Sequence, residues 1–418
     1  LQLGFEYDID DDMTLKFGYS NKEYGFDRFG SRADRNFSGS GSADAQDGTV
    51  DGVACGISSA IDSSMGSTRT NGSITWFAPD GSVFDTLRNS GCWPQAVRAG
   101  DTRSIIEDDD AFYLQLDFSG DIAGMDLRGN VGVREVSTNV ESTGFTQVED
   151  DLLVVTVEHD YTDTLPAINL ALDVSEDIVA RFGWAKVISR PDLGLLTPGG
   201  SVSIFGVPSV SYGNPFLEPY RADNFDLSFE WYFADNSLLA LAYFERDIES
   251  FPASETVLLP WSEVGLPDSV LGAQRDDLID EEFEVSRRVN GGGARLDGWE
   301  LQYQQQFDFL PGILSNTGVI ANYTWVESAV DESGLSLVGQ SDDSYNLTAY
   351  YEDDRFSTRL AYSYRGEYNT RNDNNANGIR YRDDTGNLDF SASYQINDNF
   401  RVTLEAINLT DEPQIDWM

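Results

Sequence analysis

The sequence predicts an all-β protein, a transmembrane antiparallel β-barrel, and three observations support this fold class. Apolar and polar side chains alternate, the alternating runs are roughly ten residues long, and tight turns alternate with long polar loops. Alternation with period two is typical of strands that have one apolar and one polar face. Roughly ten residues is the length that a tilted strand needs to cross a bilayer, whereas strands of soluble proteins average five or six.

The run from residue 224 to residue 233 shows the alternation. Its odd positions hold Phe225, Leu227, Phe229, Trp231 and Phe233, and its even positions hold Asn224, Asp226, Ser228, Glu230 and Tyr232. Aromatic residues at both ends of the apolar face are typical of the girdles of outer-membrane barrels. We therefore expect the apolar face to contact lipid and the polar face to line the lumen, with these residues among the lumen set: Asp226, Glu230, Glu300, Gln304 and Glu405.

Fourteen such strands are predicted, at residues 1–9, 13–20, 111–119, 124–137, 165–174, 178–189, 223–233, 237–247, 295–309, 316–327, 344–352, 355–365, 387–396 and 398–407. Short turns alternate strictly with long polar loops, which lie near residues 21–110, 138–164, 190–222, 248–294, 328–343 and 366–386. Short turns on one rim and long loops on the other are typical of a transmembrane barrel. A soluble β-sandwich has no reason to sort its loops in this way.

Charge and hydropathy exclude several other classes. The chain has 27 Lys+Arg and 72 Asp+Glu, a net charge of −45. A nucleic-acid-binding surface needs a basic footprint, so nucleic acid is excluded as a partner. No run approaches 18 apolar residues, which excludes a helical membrane protein. The 40% hydrophobic content excludes wholesale disorder.

Four short segments resemble motifs of TonB-dependent outer-membrane receptors in order and spacing. They are Asp163–Asn169 followed by Arg181 and Ile188–Pro191; Gly213–Pro219 followed by Ala222–Asn224; Gly298–Leu301; and Ile407–Glu412. The positions that carry the resemblance are Pro166, Asn169, Arg190, Pro191, Asn214, Pro215, Pro219, Asn224, Gly298, Glu300, Asn408, Asp411 and Glu412. Each motif is weak alone, but together they span about 250 residues.

The resemblance implies a larger barrel than fourteen strands make. Plugged outer-membrane transporters use 22 strands, and strand parity makes residues 398–407 strand 21 and residues 1–9 strand 8 of such a barrel. Residues 1–418 are therefore expected to be a partial receptor barrel, incomplete at both ends. The expected piece has a long extracellular loop at about 21–110 and lacks the plug domain.

The function that this resemblance implies is active uptake of a small nutrient across the outer membrane of a Gram-negative bacterium. The implied partners are outer-membrane lipid, lipopolysaccharide and the TonB-ExbB-ExbD complex, which would act through the plug. The loop between Glu249 and Asn290 has ten acids and three bases, and an acidic mouth slightly favours a neutral oligosaccharide over an anionic ferric siderophore. The alternatives are a passive porin and, from another class, a surface β-rich binding or adhesion module.

No catalytic constellation and no cofactor site is expected. His159 is the only histidine, and no nucleophile lies at a motif spacing from it, so we expect it to be an incidental residue rather than a catalytic base. The segment Asp373, Asn375, Asn377 places Asp384 at position twelve of a calcium-loop pattern. The flanking helices are absent, so a solvated extracellular loop is the favoured interpretation.

Two further hypotheses concern the loops. Cys55 and Cys92 lie in a Gly/Ser/Asp-rich segment, and an even pair predicts a disulfide of an oxidising compartment, with two thiols as the alternative. The loop aromatics Trp76, Phe77, Trp93 and Trp261 are candidates for stacking on a ligand ring. The alternative is that they pack the loops onto one another.

Overall fold

The structure is a computed structural model of the chain. It describes residues 1–33, 49–50, 53–54, 66–71, 74–79, 95–148, 151–203, 207–250, 252–264, 268, 271, 275–331, 333–372 and 378–418. Cys55, Cys92, Trp93, Asp373, Asn375 and Asn377 lie outside these residues. The disulfide and most of the calcium-loop pattern therefore stay predictions.

The described strands, numbered in chain order, are β1 (Gln2–Asp8), β2 (Met13–Arg28), β3 (Ser31–Ala33), β4 (Thr49–Val50), β5 (Val53–Ala54), β6 (Gly66–Asn71), β7 (Ile74–Pro79), β8 (Gln95–Val97), β9 (Arg103–Ile122), β10 (Met125–Val148), β11 (Asp151–Ser175), β12 (Ile178–Ser189), β13 (Gly200–Ser203), β14 (Ser209–Tyr212), β15 (Tyr220–Ala234), β16 (Ser237–Ser250), β17 (Pro252–Pro260), β18 (Glu282–Asn290), β19 (Ala294–Gln306), β20 (Thr317–Val330), β21 (Asp343–Glu352), β22 (Phe356–Arg365), β23 (Tyr368–Asn372), β24 (Ile379–Arg382), β25 (Thr385–Asn397), β26 (Phe400–Ala406) and β27 (Asp416–Trp417). Helical turns are short: α1 (Trp261–Val264), α2 (Arg275–Leu278) and 3-10 turns at Ala99–Asp101, Leu193–Leu195 and Gly312–Asn316. Among the described residues, no helix is long and apolar enough to cross a membrane.

Fourteen strands form one antiparallel sheet, in the order β1-β2-β9-β10-β11-β12-β15-β16-β19-β20-β21-β22-β25-β26. Each predicted strand corresponds to one of these fourteen, so the all-β antiparallel prediction is confirmed. The sheet is open, since β1 and β26 stand at its two ends and do not pair with each other. Each strand of this sheet pairs with the next sheet strand along the chain, which is the order of an up-and-down barrel wall.

The two faces of the sheet differ as the alternation predicts. Phe229 and Trp231 are about half exposed, while Asp226 and Glu230 lie on the opposite face of the same strand, because successive side chains alternate. Aromatic pairs mark both ends of the apolar face. Tyr243 and Trp299 lie 5.0 Å apart toward the long-loop rim, and Phe233 and Tyr303 lie 6.1 Å apart toward the short-turn rim.

Four strands continue well beyond their predicted ends, on the long-loop side. β2 and β9 stay paired up to Arg28 and Arg103, and β10 and β11 stay paired up to Val148 and Asp151. The sequence predicts loop for the four extensions, which are residues 21–28, 103–110, 138–148 and 151–164. These four segments lack a continuous apolar face, so apolar alternation does not reveal them.

The long loops build a second sheet with its own core. β13, β14, β18 and β17 form a mixed four-stranded sheet, in which β14 and β18 run parallel. Its core is made of Val210, Trp261, Val264, Leu271, Phe283 and Val285. This loop sheet joins the loop after β12 to the loop after β16, so the two loops form one body.

Candidate functional site

The candidate functional site lies near the point where the ladder between β11 and β12 ends. The two strands pair up to Ala167 and Ala185, and Pro166 is the next residue on β11. Proline has no N–H to donate to a neighbouring strand, so it suits the position where the ladder ends. Beyond it, the chain that follows β12 is free to turn over the upper part of the β9–β11 wall.

This returning chain, residues 190–203 and 207–219, is called the mouth segment here. Its buried Leu196 and Leu217 pack against Ile105 of β9 and Val140 of β10, each at most 2% exposed. The mouth segment therefore lies on the same face of β9 and β10 as the lumen side chains below it. Its ends meet the wall through two ion-pair groups.

The first group is centred on Arg190. Its Nη2 donates to Asp109 Oδ1 at 2.6 Å and to Thr138 Oγ1 at 3.1 Å. Its Nε lies 3.4 Å from Glu107 Oε1, an ion-pair distance. Thr138 Oγ1 also donates to Asp109 Oδ1, at 2.6 Å. One guanidinium thus joins the mouth segment to carboxylates that are almost completely buried.

Burial changes the acid–base behaviour of this group. It raises the pKa of Glu107 to about 7, with the negative charge of Asp109 adding to the effect and Arg190 opposing it. Burial, together with the charge of Glu107, raises the pKa of Tyr161 to about 12. Tyr161 stays neutral under any ordinary condition, whereas Glu107 changes its charge near neutral pH.

The second group is centred on Arg221, at the start of β15. Arg221 Nε donates to Asp163 Oδ1 of β11, and its Nη2 donates to Glu218 Oε2 at 2.9 Å. Glu218 Oε1 lies 3.5 Å from His159 Nε2. His159 also contacts Phe216 edge-on, with 5.5 Å between ring centroids. His159 therefore contacts the mouth segment, an arrangement that no sequence motif indicates.

The two groups together hold an excess of acid. Two guanidinium groups, of Arg190 and Arg221, face four carboxyl groups, of Glu107, Asp109, Asp163 and Glu218. Uncompensated charge is costly where water is excluded. Protonation of Glu107 would reduce this excess of negative charge by one.

The mouth segment is also tied to the loop sheet through Asn214 and Asn290. Asn214 Nδ2 donates to the carbonyl of Arg288 at 3.2 Å, and its Oδ1 accepts from the backbone N–H of Phe216 at 2.9 Å. Asn290 Oδ1 accepts from the N–H of Glu218 at 2.9 Å, while its Nδ2 donates to the carbonyl of Phe216 at 3.2 Å. The two amides join the loop after β12 to the loop after β16.

Below the mouth, cross-strand polar pairs cover the lumen face of the wall. Lys16 pairs with Asp117 at 2.7 Å, Arg181 with Glu230 at 2.8 Å, and Arg246 with Asp226 at 2.7 Å. Asn169 donates to Asn130 at 3.0 Å. A concavity of about 860 Å³ includes Asn130, Asn169 and Asp226, and another of about 730 Å³ includes Gln304 and Glu405.

Most of the motif residues act in packing and turns. Pro191, Pro215 and Pro219 are buried residues of the mouth segment itself. Asn224 faces the lumen side of β15, opposite Ala185 and Arg246. Gly298 faces Phe244 on β16, and Glu300 follows it on the same face of β19.

The last motif forms a turn after β26. Asn408 and Asp411 adopt left-handed backbone angles, with φ of 53° and 52°. Asn408 Oδ1 accepts from the N–H of Glu412 at 2.9 Å, and its Nδ2 donates to the Glu412 carbonyl at 3.2 Å. Asparagine and aspartate tolerate this conformation better than other side chains, which explains the residue types.

Of the other candidates, the structure describes the side chains of Trp261 and Asp384. Trp261 is 1% exposed and packs on Phe283 within the loop sheet, and its Nε1 donates to Asp268 at 3.2 Å. Its ring is thus enclosed by the loop sheet rather than presented to a ligand. The backbone of Trp76 and Phe77 lies in β7. Asp384 is exposed and interacts with Tyr364. In the described part of the chain, no group of three or more His, Cys, Asp or Glu is placed to hold a metal ion.

The family model for the TonB dependent receptor-like β-barrel matches residues 1–409. The chain belongs to the TonB-dependent receptor β-barrel family. Members of this family are receptors and transporters of the Gram-negative outer membrane, which confirms the localisation expected for the chain. No curated protein matches the sequence.

Solved structures share the fold of this receptor chain. The copper transporter OprC aligns with a TM-score of 0.58 at 12% identity, over 98% of this chain and 51% of that one. The siderophore receptor PiuA from Acinetobacter baumannii aligns with a TM-score of 0.56 at 13% identity, over 98% and 51%. A mutant of the ferric enterobactin receptor PfeA from Pseudomonas aeruginosa has a TM-score of 0.50 at 12% identity, over 97% and 55%. This receptor chain thus spans about half the length of these structures.

Proposed function

We propose that the whole protein takes up a small nutrient across the outer membrane, driven by the TonB-ExbB-ExbD complex acting through a plug domain. The observation that carries the proposal is the fixed mouth segment above a charged lumen wall. Arg190 and Arg221 hold that segment against the inside of the wall. The extracellular end thus has a shaped, rigid entrance, as selective capture requires.

The ligand that fits this entrance is neutral or cationic. The two ion-pair groups of the mouth, centred on Arg190 and Arg221, contain four carboxyl and two guanidinium side chains. The loop from Glu249 to Asn290 has ten acids and three bases. Such a field disfavours anions. A neutral oligosaccharide meets this condition, but the solved neighbours give that choice no support, since their names refer to copper and siderophores.

We propose transport rather than catalysis because the polar side chains of the mouth bind one another and attach the mouth segment to the wall. The side chain of His159 contacts Glu218, Phe216 and Tyr161. The remaining partners follow from the location: lipid along the apolar face, and lipopolysaccharide around the extracellular loops.

Uptake and conductance together test the proposal. Cells that express the full-length protein are given labelled maltohexaose, a neutral ferric hydroxamate chelate and anionic ferric citrate. We expect uptake of a neutral probe that an uncoupler abolishes, with ferric citrate excluded. The purified protein is expected to show no steady conductance in a planar bilayer. Uptake that survives the uncoupler, or a steady open conductance, would establish the passive porin instead.

A further inference from the structure

One face of the loop sheet packs on its core, and the other face is lined by hydroxyl groups. Val210 and Val285, which pair across β14 and β18, belong to the core. Alternation therefore places their neighbours in sequence on the opposite face. On that face a single row of hydroxyl side chains crosses all four strands: Ser201, Ser211, Ser286 and Thr256. This side of the loop sheet is called the hydroxyl face here.

The hydroxyl face is accessible and offers both donors and acceptors. Ser201, Ser211 and Thr256 are exposed, and the hydroxyl oxygens of Thr256 and Ser286 lie 3.0 Å apart. The next row on the same face consists of Ser203, Ser209, Glu284 and Leu258. Leu258 is 62% exposed, so an apolar contact surface lies beside the hydroxyl groups.

The hydroxyl face continues the lumen side of the barrel wall. On β16 and β19 the even-numbered residues face the lumen, and their ladder ends at the pair of Ile248 and Ala294. The ladder of β17 and β18 starts at the pair of Pro252 and Asn290. Three residues separate these pairs on each strand, so the register is unchanged and alternation keeps the same side. The side chain of Asn290 accordingly reaches backbone groups of the mouth segment, which lies on the lumen side.

The charge around the hydroxyl face favours an uncharged ligand. The loop from Glu249 to Asn290, which contains β17 and β18, has ten acids and three bases. Such a field repels anions. The row of four hydroxyl groups is itself uncharged, and each hydroxyl can donate one hydrogen bond and accept others. A neutral ligand with many hydroxyl groups of its own matches this surface.

We propose that the hydroxyl face binds an uncharged oligosaccharide before it enters the lumen. Neighbouring strands lie about 4.8 Å apart, so the row extends for about 14 Å and can meet more than one sugar ring. Sugar hydroxyls donate to the Ser and Thr oxygens and accept from them, while Leu258 contacts the apolar side of a ring. This inference rests on the proposed uptake function, since it names the class of nutrient and the surface that selects it.

Binding measurements on the purified full-length protein test this surface. Calorimetry measures the affinity for maltohexaose and for xylohexaose, which are an α-linked and a β-linked neutral chain. The test variant is Thr256→Val with Ser286→Ala, which removes two adjacent hydroxyl groups. The matched control is Thr143→Val with Thr156→Val. These two residues form another exposed cross-strand hydroxyl pair, 2.9 Å apart, on the opposite side of β10 from Val140.

We expect the wild type to bind at least one of the two oligosaccharides and the double variant to bind it about tenfold more weakly, the effect of losing two hydrogen bonds. The control and Thr256→Ser, which keeps the hydroxyl group, should bind like the wild type. Wild-type protein that binds neither oligosaccharide, or a double variant that binds as tightly as the wild type, would overturn the proposal. Equal weakening by Thr256→Ser would also overturn it, because the hydroxyl group would then not be the group recognised.

Hydrogen exchange separates binding from folding of the loop sheet. Without ligand, residues 282–290 of the double variant should be as protected as in the wild type. Should the double variant lose this protection, Thr256→Val alone takes its place, with an expected weakening of about threefold for one hydrogen bond.

Uptake measurements distinguish failure of this inference from failure of the proposed function. Uncoupler-sensitive uptake of a neutral ferric hydroxamate chelate, by a protein that binds neither oligosaccharide, would overturn the hydroxyl-face proposal and leave energised uptake in place. Weaker oligosaccharide binding by the double variant, together with uptake that survives the uncoupler, would support the binding surface and make the protein a passive channel.

Discussion

Arg190 and Asp109 are 81 residues apart in the sequence, yet Arg190 Nη2 lies 2.6 Å from Asp109 Oδ1. Asp109 belongs to β9 and Arg190 begins the mouth segment, so this contact fixes a loop to the barrel wall. The carboxylate is almost completely buried, and the guanidinium is about one quarter exposed. Arg190 thus attaches the start of the mouth segment to the wall.

Replacement of Arg190 by glutamine should release the mouth segment without unfolding the barrel. The change leaves Glu107 and Asp109 buried without their counter-ion, and breaking a buried ion pair costs about 3–5 kcal/mol. We expect proteases to cleave within residues 190–203 while the barrel stays heat-modifiable. Arg181→Gln is the control, because its pair with Glu230 is more exposed and surface pairs contribute about 1 kcal/mol or less. Equal protease resistance in both variants would contradict this role.

The attachment of the mouth segment should also depend on pH. The pKa of Glu107 is about 7 in the folded protein and 4.5 for the free group. Between these pH values Glu107 holds a proton while the mouth segment is attached and releases it when the segment opens. The free energy that favours the attached segment therefore falls as pH rises from about 4.5 to 7, and it is constant above pH 7. The effect is at most about 3 kcal/mol.

Hydrogen exchange of residues 190–203, followed from pH 5 to pH 8, measures this dependence after correction for the intrinsic exchange rate. We expect protection to decrease with pH in the wild type and to be nearly flat in Glu107→Gln, which should be the more protected protein at pH 8. A wild-type profile without slope over this range would show that Glu107 does not titrate there.

The wall was predictable from the sequence because the bilayer imposes a pattern on it. Runs such as Phe225 to Phe233 have one apolar and one polar face, and all fourteen strands correspond to such runs. The upper parts of β10 and β11 were not predictable in this way. Above the membrane both faces of a strand can be polar, so residues such as Thr138 and Glu141 read as loop.

The residues of the two ion-pair groups, centred on Arg190 and Arg221, were only partly predictable from the sequence. The family motif pointed to Arg190 and Pro191, but nothing in the sequence distinguishes the buried Glu107 and Asp109 from a solvated acidic run. The side chains meet only because the mouth segment returns over the wall, and that return depends on tertiary structure. The signal that was available is the run of acids at residues 107–110 in an alternating context.

The amide contacts between the two extracellular loops give a third prediction. Asn290→Ala removes the hydrogen bonds to Glu218 and Phe216. The position is exposed, so the two losses together cost about 1 kcal/mol. We expect faster hydrogen exchange in both loops. The matched change is Asn346→Ala, which removes one exposed contact with Asn322 and should leave the loops unaltered. Unchanged exchange around residues 214–218 would show that the loops are coupled by other contacts.

Cys55 and Cys92 are predicted to form a disulfide, since an even pair of cysteines in an outer-membrane protein is exposed to the oxidising periplasm during export. Intact mass before and after alkylation without reductant should show no added mass. Two alkylated cysteines under these conditions would show that the thiols are free.

Gly298 should tolerate no side chain. A Cβ there would lie 2.4 Å from the carbonyl oxygen of Trp325 and 2.7 Å from the ring of Phe244, and backbone on the neighbouring strand cannot move aside. We expect Gly298→Ala to reduce the yield of heat-modifiable barrel. Gly120→Ala is the control, because a Cβ at that position meets nothing within 4 Å. Because Phe244 accounts for only part of the crowding, Phe244→Ala should rescue Gly298→Ala incompletely. Full rescue would assign the whole effect to the ring rather than to the strand backbone.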